Sequence, residues 1–228
     1  MTRIVVILAL VAMPCGIACG QARTAEEFWP EVDAHFQFAK TWRVLGFAGS
    51  ERGEEIGYRQ FHAGVGMAHQ WKRISKPHPE NINPDREHIF VLGGGYEYLR
   101  TVWGKTKTEN RAVLEAMPGF RPFSRLLVRD RHRVEFRWVD GAYSTRYRNE
   151  VFAAYDVSIY KFRFNPYASA EAFYDGVSSS WNKEQYTAGI EWPYKRRLMV
   201  NTYFLRQTCP TSSQAHLNVA GLKVNLYF

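Results

Sequence analysis

The chain has 228 residues, of which 30 are Lys or Arg and 22 are Asp or Glu, so its formal net charge is +8. The length suits a single domain. No apolar run after residue 22 is long enough for a membrane-spanning helix.

Residues 1–22 have the features of a secretory signal peptide. Arg3 gives a positive start, residues 4–13 form an apolar run too short to span a bilayer as a helix, and residues 20–22 include small side chains at a cleavage position. We expect the leader to be removed and the mature domain to cover residues 23–228. An exported basic chain rarely meets nucleic acid, so no nucleic-acid partner is expected. We interpret the positive charge as favouring interaction with anionic lipid headgroups.

Leader removal would leave Cys209 as the one remaining cysteine, which excludes an intramolecular disulfide. Cys209 lies in a loop and is interpreted as a tolerated loop residue rather than a reactive thiol. An alternative to cleavage after residue 22 is a lipid-modified Cys19, although Gly16 stands where such signals usually carry Leu.

Segments of alternating apolar and polar residues recur along the rest of the chain, separated by turn-rich stretches. A period of two indicates strands with two different faces. Most segments reach the ~9–11 residues that a tilted strand needs to span a bilayer, whereas soluble strands are typically ~5–6 residues long. We assign strands to residues 29–38, 41–49, 58–72, 87–101, 109–123, 126–140, 145–156, 162–176, 184–193, 196–207 and 216–228.

These segments number eleven, but bacterial single-chain barrels have even strand numbers. We therefore expect 12 strands, with 10 as the alternative. Counting back from the last strand puts short turns at 123–125 and 192–196 in the periplasm. The same parity puts the long proline-containing linker 72–87 there, which is unusual.

In the strand at 126–140, the sequence indicates which face points into the barrel. Its arginines alternate with apolar residues such as Phe136, and an Arg that faces lipid at the midplane costs ~2–4 kcal/mol. The charged face must therefore point into the barrel, and the neighbouring strands repeat this pattern. The predicted lumenal charge network is Arg131, Arg133, Glu135, Arg137, Arg146, Arg148, Glu150 and Glu171.

Interleaved positive and negative side chains are typical of a lumen that is filled by mutually satisfied ion pairs. The alternative is a narrow polar pore or a binding site for an anionic solute.

No catalytic or metal site emerges from the sequence. A hydrolase embedded in the membrane would need Ser and His on one accessible face, but His132 and His216 fall on outward phases and the serines cluster in loops at 178–180 and 212–213. The seven histidines lack the close pairing of a metal site. Residues 93–95, Gly-Gly-Gly, lie inside a strand, so they indicate a bend or a close backbone approach rather than a phosphate loop. We expect no enzyme, no metal and no cofactor.

The chain closes on a strand with the apolar-polar alternation of its neighbours and a terminal aromatic residue. This ending is typical of the last strand of a bacterial outer-membrane β-barrel, which the barrel assembly machinery reads. The candidate assembly signal is Leu226, Tyr227 and Phe228.

Several stretches resemble a family of Gram-negative outer-membrane proteins that is catalogued as a domain of unknown function. The resemblance covers most of the mature chain and is strongest over 109–228. It implies an outer-membrane barrel and no particular activity. The stretches that carry it are 27–32, 130–138, 143–149, 166–175, 181–182, 203–207 and 225–228.

The sequence thus predicts an all-β protein with a single antiparallel transmembrane β-barrel in the bacterial outer membrane. The expected role is structural or that of a narrow channel. The expected partners are outer-membrane lipid, including lipopolysaccharide, and the barrel assembly machinery. The rival interpretations are a soluble periplasmic β-sandwich or calyx that binds a ligand, and a lipid-modifying barrel enzyme.

Overall fold

The computed structural model describes residues 24–53, 59–73, 86, 88–102, 106–160, 162–195, 197–209 and 216–228. The expected leader 1–22 and the loop serines at 212–213 lie outside the described residues. None of the described residues belongs to a helix with the length and apolarity that a membrane crossing would need.

The described residues form twelve strands in a single continuous arrangement. Their bounds are β1 Thr24–Ala39, β2 Trp42–Gly53, β3 Arg59–Arg73, β4 His88–Thr101, β5 Lys107–Phe123, β6 Leu126–Val139, β7 Ala142–Tyr155, β8 Val157–Ile159, β9 Phe162–Asp175, β10 Ser180–Tyr194, β11 Leu198–Thr208 and β12 His216–Tyr227.

Eleven of these strands close into a barrel. Antiparallel pairs run from β1 to β7, continue from β7 to β9, and proceed through β10 and β11 to β12. Strand β12 then pairs with β1 in parallel, which closes the ring. Strand β8 pairs with the first residues of β9 and stands outside the ring. The all-β single-barrel fold expected from the sequence is confirmed.

The expectation of an even strand number holds for the sheet but not for the closed ring. The sheet has twelve strands, as expected, but the eleven alternating segments of the sequence correspond to the eleven strands that close the barrel. An odd ring can close only if its first and last strands run parallel. Consequently β1 starts at one rim of the barrel and β12 ends at the other.

We name the two rims by these strands. The β1 rim is the edge at which β1 begins and β2 ends, and among the described connections it carries 140–141 and 176–179. The β12 rim is the edge at which β1 and β12 end, and among the described connections it carries 40–41 and 124–125.

The polarity of the barrel is inverted relative to a soluble protein. Outward-facing Val65 and Leu114 are 54% and 57% exposed, whereas inward-facing Glu135 is fully buried. Because successive side chains of a strand point to opposite faces, the burial of Glu135 also turns Phe136 outward, as the sequence predicted. The polar side chains therefore occupy the lumen, and apolar side chains cover the outer wall.

Aromatic pairs mark both edges of this outer wall. At the β12 rim, Phe36 stacks on Phe228 with ring centroids 4.9 Å apart. At the β1 rim, Trp138 packs against Tyr143 with centroids 5.4 Å apart. Aromatic side chains thus lie at both edges of the apolar wall, at the β12 rim and at the β1 rim.

Inside the barrel, two tyrosine rings lie across glycines of the neighbouring strands. A Cβ atom on Gly221 would overlap the ring of Tyr203, and one on Gly189 would lie 2.7 Å from the ring of Tyr167. The Tyr167 hydroxyl donates a hydrogen bond of 3.0 Å to Asn201. Glycine at these positions lets bulky rings fold flat against the inner wall and fill the lumen between β9 and β12.

Candidate functional site

A continuous set of ion pairs fills the lumen between β4 and β9. Six arginines and six carboxylates from five neighbouring strands take part, so their charges balance. The members of this lumenal charge network are Glu97, Glu109, Arg111, Arg131, Arg133, Glu135, Arg137, Arg146, Arg148, Glu150, Glu171 and Asp175.

Arg148 lies at the centre of the network and bridges two buried glutamates. Its Nη1 donates to Glu135 Oε1 at 2.9 Å, while its Nε and Nη2 donate to the two oxygens of Glu171, both at 2.8 Å. The two-pronged contact with Glu171 is the strong geometry for an arginine-carboxylate pair. Glu135 is fully buried and also accepts from Arg133 Nε at 3.1 Å.

The network extends toward the β1 rim through Glu109. Arg137 donates to both oxygens of Glu109, at 2.5 and 3.0 Å, and Arg111 Nε donates to the same carboxylate at 2.5 Å. Glu97 on β4 pairs with Arg133 and, at 3.4 Å, with Arg111. The β4 and β5 carboxylates thus hold arginines that would otherwise repel each other.

The structure brings together all eight residues that the sequence placed in the lumen. Arg131 joins the network through Glu150 at 2.8 Å and Glu171 at 3.0 Å, and Arg146 lies 3.6 Å from Asp175. Sequence reasoning missed four members, namely Glu97, Glu109, Arg111 and Asp175. The alternation of Glu109, Arg111, Val113 and Glu115 on β5 was a usable signal for two of them.

A buried aromatic ring completes this part of the lumen. Phe173 is 1% exposed, and the Arg148 guanidinium and the Lys183 ammonium lie 4.5 and 4.0 Å from its ring centroid. Cations over an aromatic face are stabilised by its quadrupole. The ring therefore fills space in the lumen and presents its face to both cations.

A second lumenal cluster spans the parallel seam between β12 and β1. Lys223 Nζ lies 2.6 Å from Glu31 and 2.8 Å from Asp33. Glu31 in turn contacts His62 on β3 at 3.1 Å. Because Lys223 and Glu31 are direct cross-strand partners, the ion pair reinforces the closure of the barrel.

A third cluster lies at the β12 rim. Arg86, which precedes β4, is 2% exposed and reaches Glu191 on β10 at 3.1 Å and Asp156 at 3.4 Å. Asp156 also accepts from Arg121 Nη1 at 2.8 Å. These contacts tie distant strands together across the mouth of the barrel. The sequence offered no pattern that singled out Arg86, because it comes at the end of the long proline-containing linker.

A small cavity lies beside the lumenal charge network, against the β3–β4 wall. Gly66, Gly93 and Gly95 contribute no side chain there, and Glu97 and Arg133 border it. A Cβ atom on Gly95 would lie 2.7 Å from the Val65 carbonyl oxygen, which confirms the close backbone approach expected for residues 93–95. The glycines therefore let the β3 and β4 backbones approach closely, and they leave space for the cavity because they have no side chains.

The three residues of the candidate assembly signal lie at the β12 rim. Leu226 pairs with Leu198 of β11 and Ala34 of β1. Tyr227 is buried and stacks on His35 with ring centroids 4.5 Å apart, whereas Phe228 is exposed.

No group of three or more His, Cys, Asp or Glu side chains among the described residues is arranged to hold a metal ion. The described loop serines Ser178 and Ser180 contact each other, with their hydroxyl oxygens 2.9 Å apart.

A family model described as a protein of unknown function, DUF2490, matches residues 26–218. The chain belongs to the DUF2490 family. The match begins in β1 and ends in β12, so it includes every strand of the lumenal charge network. No curated protein and no solved structure matches this DUF2490 chain.

Proposed function

We propose that this DUF2490 protein is an integral β-barrel of the bacterial outer membrane whose lumen is filled by side chains. The observation that carries the proposal is the inverted polarity of the barrel, with apolar residues outside and ion pairs inside. A soluble calyx would have the opposite arrangement, because its outer face meets water. Its role is structural, and it catalyses no reaction.

The height of the apolar wall fits a bilayer. On β3, outward Phe61 and Trp71 lie ten residues apart. This separation is about 33 Å along a strand, and a tilt of about 40° reduces it to about 25 Å. An apolar band about 25 Å tall between aromatic girdles is the pattern of outer-membrane barrels.

The β12 rim faces the periplasm in this proposal. Three of its five connections, at 40–41, 124–125 and 195–197, have only two or three residues, as periplasmic turns usually do, and the connection at 74–87 is the long exception. The exposed Phe228 then presents the end of β12 to the barrel assembly machinery in the periplasm, together with Leu226 and Tyr227.

The β1 rim then faces the outer leaflet, where lipopolysaccharide phosphates lie. Arg52 and Arg59 are direct cross-strand partners on the outer wall, and Arg100 follows on β4. Like charges directly opposite each other are destabilising on their own. An anionic lipid headgroup at this position removes the repulsion, so we assign this arginine trio to lipopolysaccharide.

The membrane proposal is tested by fractionation and by heat modifiability. The protein should fractionate with outer membranes, need detergent for extraction, and migrate faster on electrophoresis before boiling than after it. A protein that stays in the soluble periplasmic fraction, with a mobility that heat does not change, would refute the proposal.

A narrow channel is the second candidate, because the cavity beside Gly66 and Gly93 interrupts the packing of the lumen. Planar-bilayer recordings separate the two roles. A filled lumen gives little or no steady conductance in the parent protein and a leakier barrel after Glu171→Ala, which releases Arg131 and Arg148. Stable, reproducible channels from the parent protein would favour the channel.

A further inference from the structure

Four polar side chains form a connected cluster on the outer wall of β6 and β7. Asp130 and His132 point outward from β6, and Tyr147 and Asn149 point outward from β7. We refer to these four residues as the outer polar cluster. In a membrane barrel this wall otherwise meets hydrocarbon, so the cluster requires an explanation.

Hydrogen bonds connect the four side chains. His132 Nδ1 lies 2.7 Å from the Tyr147 hydroxyl, and His132 Nε2 lies 3.2 Å from Asp130 Oδ2. Asn149 Nδ2 donates to Asp130 Oδ1 at 2.6 Å. The side chains of Asp130 and His132 are nevertheless 44% and 43% exposed, so the cluster still presents polar surface outward.

The cluster lies halfway up the wall. His132 and Asn149 are direct cross-strand partners, midway between the 124–125 turn and the 140–141 turn. Arginine or lysine facing lipid costs most at this depth, and ionisable groups within membranes generally pair with protein groups. The middle of the apolar band is therefore the least favourable place for exposed polar groups.

Small residues flank the cluster on both sides. Ala116, His132, Asn149 and Ala172 form one row across β5, β6, β7 and β9. In the next row, Ala170 neighbours Val151, which is the partner of Asp130. At interfaces between transmembrane helices, small side chains beside polar ones allow close approach and let the polar groups bond across the contact, and the same composition appears on this barrel wall.

We infer that two copies of this chain associate in the membrane through the outer wall of β5, β6, β7 and β9, centred on the outer polar cluster. This inference rests on the proposed membrane location. After its internal hydrogen bonds the cluster keeps both kinds of group, because the Asn149 amide has a second N–H besides the one that Asp130 accepts, and the oxygens of Asp130 and Asn149 can accept again. A patch with both can bond to its own copy about a two-fold axis, as an isologous dimer requires.

A catalytic role fits the cluster less well. The hydroxyl, imidazole and carboxylate form a chain that resembles a hydrolase relay. The ester bonds of membrane lipids, however, lie at the headgroup boundary, whereas the cluster lies at the centre of the band. Water for hydrolysis is also scarce there.

Symmetric cysteine cross-linking tests the dimer geometry. In a Cys209→Ser background, Ala170→Cys should give a dimer linked by a long, flexible bis-maleimide reagent in outer membranes, since Ala170 lies beside the outer polar cluster and its copy lies farther away than a direct disulfide spans. Val32→Cys on β1 is the matched control, because Val32 is also an exposed outer-wall residue. Cross-linking of Ala170→Cys at least tenfold above that of Val32→Cys is expected, and equal yields would overturn the inference.

The polar contribution is tested with the triple variant Asp130→Ala, His132→Ala and Asn149→Ala. In detergent, sedimentation should show a dimer for the parent and a monomer for the variant, with a dissociation constant raised at least tenfold. The variant should remain heat-modifiable, because the outer polar cluster does not hold the barrel closed. A parent that is monomeric in detergent and in membranes, or a variant that associates normally, would overturn the inference.

Two further outcomes are distinguishable. A parent protein that is soluble without detergent refutes the membrane location itself rather than the dimer alone. A monomeric parent that releases fatty acid from phospholipid vesicles, and loses this activity in the His132→Ala variant, would replace the interface with a catalytic site.

Discussion

The wall formed by β1 to β4 and the wall formed by β5 to β9 differ on both faces of the barrel. Outside, the first exposes apolar side chains such as Val32, Val65 and Met67, whereas the second contains the outer polar cluster. Inside, the first carries glycines and a cavity, whereas the second carries every member of the lumenal charge network except Glu97. In the proposed membrane dimer, the first wall contacts lipid and the second contacts the partner copy.

The two walls also obtain their stability in different ways. Between β3 and β4, the backbones approach closely because Gly66 and Gly95 face each other without side chains. Between β6, β7 and β9, paired arginines and glutamates link neighbouring strands. Substitutions should thus act through steric overlap in the first wall and through unpaired charge in the second.

The largest effect is expected from Glu135→Ala in the charged wall. The change leaves Arg133 and Arg148 without a shared buried carboxylate. Breaking a buried ion pair in this way costs about 3–5 kcal/mol. Urea unfolding in detergent micelles measures the loss, and Glu26→Ala, at an exposed position, should stay within about 0.5 kcal/mol of the parent. Equal stabilities of the two variants would show that the network contributes nothing.

The next largest effect tests whether the outer face of the wall formed by β1 to β4 contacts lipid. Val65→Arg puts a charge on the exposed middle of β3 and should cost ~2–4 kcal/mol in a bilayer. Val65→Leu keeps the position apolar and should be nearly neutral. Folding yields into phospholipid vesicles measure both variants. An Arg variant that folds as well as the Leu variant would place this wall outside the membrane.

A smaller effect separates two facing glycines. A Cβ atom on Gly95 would lie 2.7 Å from the Val65 carbonyl oxygen, whereas one on Gly66 would lie 3.3 Å from its nearest neighbour, the Gly94 carbonyl oxygen. Gly95→Ala should therefore destabilise the barrel by about 1–3 kcal/mol, and Gly66→Ala by less. Denaturant midpoints of the two variants measure the difference. The reverse order would mean that backbone approach does not limit this wall.

Much of the fold could be predicted from the sequence, because alternation is a local signal. The burial of Glu135 and the outward position of Phe136 followed from the cost of an arginine in lipid. The parallel closure could not be predicted in this way, since it depends on which strands meet after the whole ring has formed.

The candidate site was predictable only in part, for a related reason. Arg131 and Glu150 lie on segments with clear alternation, and the structure places them in contact. Glu97 lies two residues after Gly-Gly-Gly, which interrupts the pattern of β4, and Arg86 comes at the end of the proline-containing linker. Their partners are set by the register and curvature of the barrel, and neither is visible along a single strand.

The smallest effect concerns the β1 rim of the wall formed by β1 to β4. If lipopolysaccharide phosphates bridge Arg52 and Arg59, the double variant Arg52→Gln and Arg59→Gln should bind lipopolysaccharide micelles more weakly, by about 1 kcal/mol for each arginine. Titration of fluorescent lipopolysaccharide measures this, and the difference should shrink as salt screens the charges. Arg125→Gln is the control, because the exposed Arg125 lies at the opposite rim. If the control loses as much affinity for lipopolysaccharide as the double variant, binding depends on overall positive charge rather than on Arg52 and Arg59. The two rims would then not differ in lipopolysaccharide binding.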